Sequence, residues 1–489
     1  MNDTIDRPYT GNAAILYNGQ HSSVDEQAEA MRQRILAYPD TVGASKSGTT
    51  YYISYNGDDA ADGISPETAW RTTNALREQP ELLKSGDVVL FERGGVYRGQ
   101  IELCAGVSYA AYGEGPKPCI YGGPRNYNDP TLWQATKIPN VWKLDTKGLA
   151  DVGNIVMDHG VHCAKKTLNI NQLIEDFCLY CDVENEVTYF YHSAGNPAEC
   201  YSDIEISPAG CLLHAALGNN TDITIENLCI KYTGAHGIGM ARDTDNITVR
   251  GCEIGWIGGS YTKWGVLGNG FEVLDNCNNI VAEDNWIYQC YDAGLTHQSA
   301  NPNGNLEQHI YYRNNLIEYC NYNIEYFVNR DHGMIKDSVY EGNILRLAGY
   351  GFGTQWRVES EDSATANING WRKPMPSENF IIRGNIFDTS SRYLLTSTHV
   401  NNDLGPTVVG NIWVQHNYPT SAVALQIDNK TDGWAQGPYT LWARTKEEME
   451  ENVRKIDSAP VEIRFEEKEF SEVRTSRRIE KDEIKYVTI

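Results

Sequence analysis

From about residue 206 to 425 the chain repeats a short unit, and that repeat constrains its fold more than any other feature. Asn227-Leu228-Cys229-Ile230 is followed by Gly251-Cys252-Glu253-Ile254, then by Asn285-Trp286-Ile287, Asn315-Leu316-Ile317, Asn343-Ile344-Leu345, Asn385-Ile386-Phe387 and Asn411-Ile412-Trp413. The last five anchors stand 30, 28, 42 and 26 residues apart. Each is preceded by a short strand-like segment, such as Asn279-Ile280-Val281-Ala282 or His309-Ile310-Tyr311-Tyr312, and followed by another. A repeat that cannot bury its own apolar face must stack on its neighbours. Short strands separated by turns are what one coil of a parallel β-helix requires, and leucine-rich and blade repeats match neither the period nor the consensus. Asn is expected at the corners because it tolerates left-handed backbone, and stacked Asn side chains are expected to bond from coil to coil.

The repeat sets the domain plan. Residues 1–48 read as a leader. Ser23 followed by Val24-Asp25-Glu26-Gln27 is an N-cap signature for a short helix that stops before Pro39, placed to cover the open end of the stack. Residues 49–124 open the β-helix, 125–205 break its rhythm, 206–425 form the main stack and 426–489 a cap. Within the break, Val141-Trp142-Lys143-Leu144, Asn154-Ile155-Val156-Met157 and Glu186-Val187-Thr188-Tyr189-Phe190-Tyr191 read as antiparallel strands.

The opening segment carries a resemblance. Tyr51-Tyr52-Ile53-Ser54, Asn56-Gly57-Asp58-Asp59, Asp62-Gly63, Ser65-Pro66 and Ala69-Trp70 are followed by Gly86-Asp87-Val88-Val89-Leu90-Phe91 and Gly94-Gly95-Val96-Tyr97. This pattern resembles the start of bacterial right-handed parallel β-helix carbohydrate enzymes of the pectate-lyase-like superfamily. Residues 125–205 resemble the small β-sandwich inserted in β-helical glycosidases, including those acting on xylosides and fucosides. The resemblance implies an all-β solenoid with an inserted sandwich and a carbohydrate substrate. The polygalacturonase pattern is absent.

Charge narrows the partners. The formal net charge is −24, from 65 acidic and 41 basic residues. Such a chain repels phosphate backbones and anionic membranes, so neither nucleic acid nor membrane is an expected partner. The N-terminus has no basic and apolar signal, an expectation of the cytoplasm. Cysteines in apolar strands read as buried thiols, and Cys178-Leu179-Tyr180-Cys181 is a lone pair without a second zinc-ribbon partner. No metal and no cofactor are expected.

The candidate site comes from aligning the strands after each anchor. Alternate strand residues face opposite sides. Ile238, Phe271, Ile324, Phe352 and Leu394 are assigned the inward place, and Glu272 and Glu325 the next, outward place, two coils apart. Asp292 begins the strand between them, where either Gly294 or Leu295 could face inward. Glycoside hydrolysis needs two carboxyl groups, one protonated and one ionised, so Asp292, Glu325 and Glu272 are the expected catalytic residues. Asn269, His297, Arg330, Trp356 and Arg357 are the expected substrate-binding residues, with Gly239 and Gly353 leaving room. His236 reads as structural. The pattern points to an exo-acting glycoside hydrolase on plant-type oligosaccharides. The alternatives are a polysaccharide lyase using Arg330 and Arg357 against a uronate, and a non-catalytic carbohydrate-binding β-helix.

Overall fold

The computed structural model describes residues 23–466 apart from 79–80, 263–264, 300–304, 329–332, 356, 358–364, 371–374, 398, 417–421 and 427–439. Among these, three ten-stranded sheets run the length of a parallel β-helix. One coil shows the path. Cys277–Glu283 lies in sheet I, Trp286–Cys290 in sheet II and Ala293–Gln298 in sheet III, before Asn305–Arg313 returns to sheet I one rung on. The interior is a continuous apolar column that includes Ile225, Ile254, Ile280, Ile310, Ile317, Leu345 and Phe387.

The corner between sheets I and II explains the Asn anchors. At the first two anchors the left-handed residue is the anchor itself, Asn227 at φ 59° and Gly251 at 61°; at the last five it is the one before, with Asp284, Asn314, Gly342, Gly384 and Gly410 at 53°, 53°, 67°, 62° and 72°. The last five anchors themselves turn inward and form a ladder. Asn285 donates its backbone N–H and its Nδ2 to Asn315 Oδ1, both at 3.0 Å. Asn315 does the same to Asn343, Asn343 to Asn385, and Asn385 to Asn411. Each Nδ2 also reaches a backbone carbonyl, as Asn315 does to Ala282 at 2.8 Å. The ladder ends on the Asp457 carboxylate, which accepts from the Asn411 backbone and Nδ2, each at 3.0 Å, and from Trp413 Nε1 at 2.9 Å.

The N-terminal helix forms over Val24–Leu36, with the Ser23–Glu26 capping box in place. It does not cover an end of the stack. It lies along the outer face of sheet II, where Arg32 bonds Glu318 at 2.9 Å and stands 4.9 Å from the centroid of the Trp286 ring. A helix whose buried Val24, Ala28, Met31 and Ile35 share a cluster with Trp286 and Leu316 has no apolar face left for an end. The first coil is closed instead by Trp70, Ala75, Leu76 and Leu83, and the last by the helix Lys446–Ile456 through Met449, Val453 and Ile456.

Residues 125–205 form most of a five-stranded and a three-stranded sheet that share one apolar cluster, with Trp133, Leu144 and Phe190 facing Ile155, Met157 and Ile204. Arg98 of the first coils grips Glu205 through both oxygens, at 2.7 and 2.9 Å. Cys178 and Cys181 belong to separate apolar clusters on opposite faces of their strand, which removes them as a joint metal pair.

The 42-residue spacing between Asn343 and Asn385 has its cause in an excursion after Ala348. The sheet III strand of that coil is Ala366–Gly370, so Ile368, not Phe352, takes the inward place. Phe352 starts a short helix, Phe352–Gln355, and packs on Tyr291 and Trp256 outside the column. Gly353 does not flank the ladder: a Cβ there would lie 2.3 Å from the Tyr291 Cα. In the next coil Leu395, not Leu394, pairs with Ile368.

Candidate active site

The strand pairing of sheet III puts Glu272 opposite Thr296 and Thr296 opposite Glu325. Gly239 precedes them on this row, and Asn369 and Thr396 follow. Leu295 takes the inward rung between Phe271 and Ile324, while Gly294 also faces in at the corner, where a Cβ would lie 2.6 Å from Ile317. The two glutamates are therefore two rungs apart, about 9.6 Å by strand spacing.

This row faces outward yet is nearly sealed. Glu272 is 5% exposed, Thr296 0% and Glu325 2%. The Thr296 hydroxyl has no hydrogen-bond partner among the described residues. Such a buried polar group in a row of carboxyls marks a place for a water or a ligand hydroxyl.

Glu272 is held by its neighbours. Its Oε2 lies 2.8 Å from His236 Nδ1 and accepts from Asn269 Nδ2 at 2.6 Å. Burial opposes charge on both partners, but their mutual attraction outweighs it: the His236 imidazole is pushed up and the Glu272 carboxyl down from their ordinary ranges. The same His236 nitrogen is 3.2 Å from the Asn269 backbone N–H. Protonated, it donates to Glu272; neutral, it can accept from Asn269.

Glu325 accepts from Asn369 Nδ2 at 3.2 Å, and Asn369 Oδ1 accepts from the Thr396 hydroxyl at 2.5 Å. Asp292 stands at the corner before the middle strand and is paired with Arg357 at 2.9 Å. Arg357 also donates to the Tyr291 carbonyl at 2.7 Å and stacks over the Tyr291 ring at 4.8 Å. The two side chains are anchored to each other, and the Asp292 carboxylate lies near enough to His236 to help keep its imidazole charged.

Among solved structures, the chain is similar to one described as the complex structure of XylC with xylose, at 12% identity and TM-score 0.48, over 85% of this chain and 83% of that one. It is similar to a glycoside hydrolase at 10% identity and TM-score 0.42, over 89% and 100%. A GH136 lacto-N-biosidase from Eubacterium ramulus gives 14% identity and TM-score 0.38, over 90% and 70%. No known family's sequence profile matches the chain, and no curated protein does. At these identities the likeness concerns the path of the backbone alone.

The expected substrate-binding set is rearranged. His297 follows Thr296 and therefore faces inward, where it bonds Glu307 and Tyr340 inside the column, on the opposite side of the strand from the glutamate row. Asn269 uses its amide to hold Glu272 and to accept from the Ala293 backbone at 2.9 Å, which makes it a positioning residue. Arg330 and Trp356 lie outside the described residues. Sequence reasoning set His236 aside as structural and passed over Thr296 and Asn369. The one available signal was alignment: His236 falls one coil before Asn269 when Ile238 and Phe271 are matched.

The broken segment reaches this site indirectly. Gly153 packs on Gly258 and Gly259, where a Cβ would meet the Gly258 carbonyl at 2.5 Å, and Asp151 accepts from the Tyr261 backbone at 2.7 Å. The hairpin Tyr261–Thr262/Gly265–Val266 then leads into Asn269.

Proposed function

We propose that this protein is a glycoside hydrolase releasing terminal sugars from short, plant-type oligosaccharides, with Glu272 and Glu325 as its working carboxyl groups. The observation that carries this reading is the sealed outward row, in which an unpartnered Thr296 hydroxyl stands between two carboxyl side chains. Glu272, charged against His236, serves as the base that takes a proton from the attacking water. Glu325, which accepts from the Asn369 amide, gives its proton to the departing glycosidic oxygen. Water adds to the anomeric carbon as that bond breaks; Glu272 then releases its proton to solvent, and solvent returns one to Glu325. The two-rung strand spacing of about 9.6 Å is nearer to the roughly 6.5–9.5 Å carboxyl separation of inverting enzymes than to the ~5 Å of retaining ones. A floor this enclosed suits a chain end better than the middle of a polymer, which supports exo action.

A lyase reading is weakened by Arg357, whose guanidinium is engaged by Asp292 and the Tyr291 carbonyl rather than free for a uronate. The test is a screen of aryl glycosides and oligosaccharides, xylosides and fucosides first, with the first-formed anomer read by NMR. On a substrate that the parent cleaves, E272Q and E325Q should each lose most activity with unchanged circular dichroism. Wild-type rates in both variants would overturn the site, and unsaturated products would overturn hydrolysis.

A further inference from the structure

Inside the column, beneath the proposed active face, lies a cluster that the glycosidase reading does not use. Cys277 and Glu307 sit on adjacent strands of sheet I, one residue before the paired Asn278 and Gln308. His297 reaches them from sheet III. One donor atom from each of the three lies within 4.8 Å of the other two, and all three residues are 0% exposed.

Two features of this cluster go beyond a packed histidine. Glu307 uses one oxygen toward His297 Nδ1, but its Oε1 has no partner among the described residues, and neither has the Tyr312 hydroxyl. Such an orphan is costly where no water reaches it. The second is the imidazole's other side. His297 Nε2 is 2.5 Å from the Tyr340 hydroxyl. When Nε2–H donates to that oxygen, Nδ1 carries a lone pair that faces Glu307 and Cys277, as outer partners do for metal-bound histidines. Rings of Tyr312, Tyr326 and Tyr340 enclose the group.

We propose that Cys277, His297 and Glu307 bind one divalent transition-metal ion of the zinc class inside the β-helix. A thiolate, an imidazole and a carboxylate form a mixed S, N and O donor set that favours zinc over calcium or magnesium, which take oxygen ligands. The ion's two positive charges match the thiolate and the carboxylate, and the unpartnered Glu307 oxygen and Tyr312 hydroxyl are the groups at hand to complete its shell. The site clamps sheet I to sheet III across adjacent coils, a structural role. Because it is sealed, the ion enters as the chain folds and leaves only when it unfolds. This proposal is independent of the glycosidase reading.

The experiment is to unfold the full chain in chelator and refold it with zinc chloride, with cobalt chloride or without metal. Bound metal is then counted after gel filtration in chelator. The expected result is one zinc per chain retained, a higher Tm with zinc than without, and a thiolate-to-cobalt charge-transfer band in the cobalt form. C277S should lose that band and the retained zinc. If C277S does not refold, the band in the wild-type cobalt protein decides. A wild-type chain that refolds to the same Tm in all three conditions and retains no metal overturns the proposal. So does zinc retained equally by C277S and H297N.

Discussion

His236 Nδ1 stands 2.8 Å from Glu272 Oε2, although the two residues belong to successive coils. The contact is a charged pair in a buried setting, so it titrates. Burial lowers the imidazole's affinity for protons, and Glu272 more than restores it; the net shift of His236 is upward from 6.5 and that of Glu272 downward from 4.5. The raised histidine contributes stability that is whole below 6.5 and is lost as pH rises through its native pKa. The depressed carboxyl contributes stability that is present above 4.5 and is lost as pH falls through its native pKa. The pair therefore stabilises most between those two ordinary values. Tm measured against pH should show H236N losing stability relative to the parent in that window and converging with it at higher pH. A constant offset across all pH would show that the pair does not titrate as described.

Catalysis should follow the same pair. Loss of a positioned acid or base costs about 10²–10⁴-fold in rate, and E272Q and E325Q should each fall in that range in kcat. H236N should cost less, and should move the acidic limb of the pH–rate profile to higher pH, because Glu272 loses the cation that holds its carboxyl down; a merely structural histidine would not do this.

Thr296 offers a narrower test. Its hydroxyl lies between the carboxyl groups without a partner among the described residues. T296V keeps the shape of the side chain and removes the group that would hold a water or a sugar hydroxyl. Activity should drop by about tenfold, the loss of one hydrogen bond of roughly 1–1.5 kcal/mol, while thermal stability stays the same or rises.

The Asn ladder predicts a stability effect without a functional partner. N315A removes the acceptor for Asn285 and the donor to Asn343, both buried. Unfolding in urea should show a loss of about 2–4 kcal/mol from stranded polar groups and a small cavity. D457A should instead fray the last coil, seen as faster hydrogen exchange at Asn411 and Trp413.

R357M separates Asp292 from the catalytic pair. If Asp292 is held at the corner by Arg357, as the 2.9 Å ion pair shows, freeing it should raise KM more than it lowers kcat. A fall in kcat as deep as that of E272Q would return Asp292 to the catalytic role that the alignment assigned it.

The coil repeat, the Asn anchors and the outward place of Glu272 and Glu325 were legible in the chain. All three rest on local rules: turn chemistry recurs at each corner, and side chains alternate along a strand whatever the rest of the molecule does. Tertiary structure decided the rest. His297 faces inward because Leu295 took the inward rung, an outcome set by how the corner at Gly294 is traversed. Phe352 left the column because the extra residues after Asn343 are spent on an excursion before the strand resumes at Ala366. The pairing of His236 with Glu272 joins residues far apart along the chain, and it exists only because the turns between them bring the coils into this register. Alternation within a strand is a property of the backbone; which coils' side chains meet depends on the length and path of every turn.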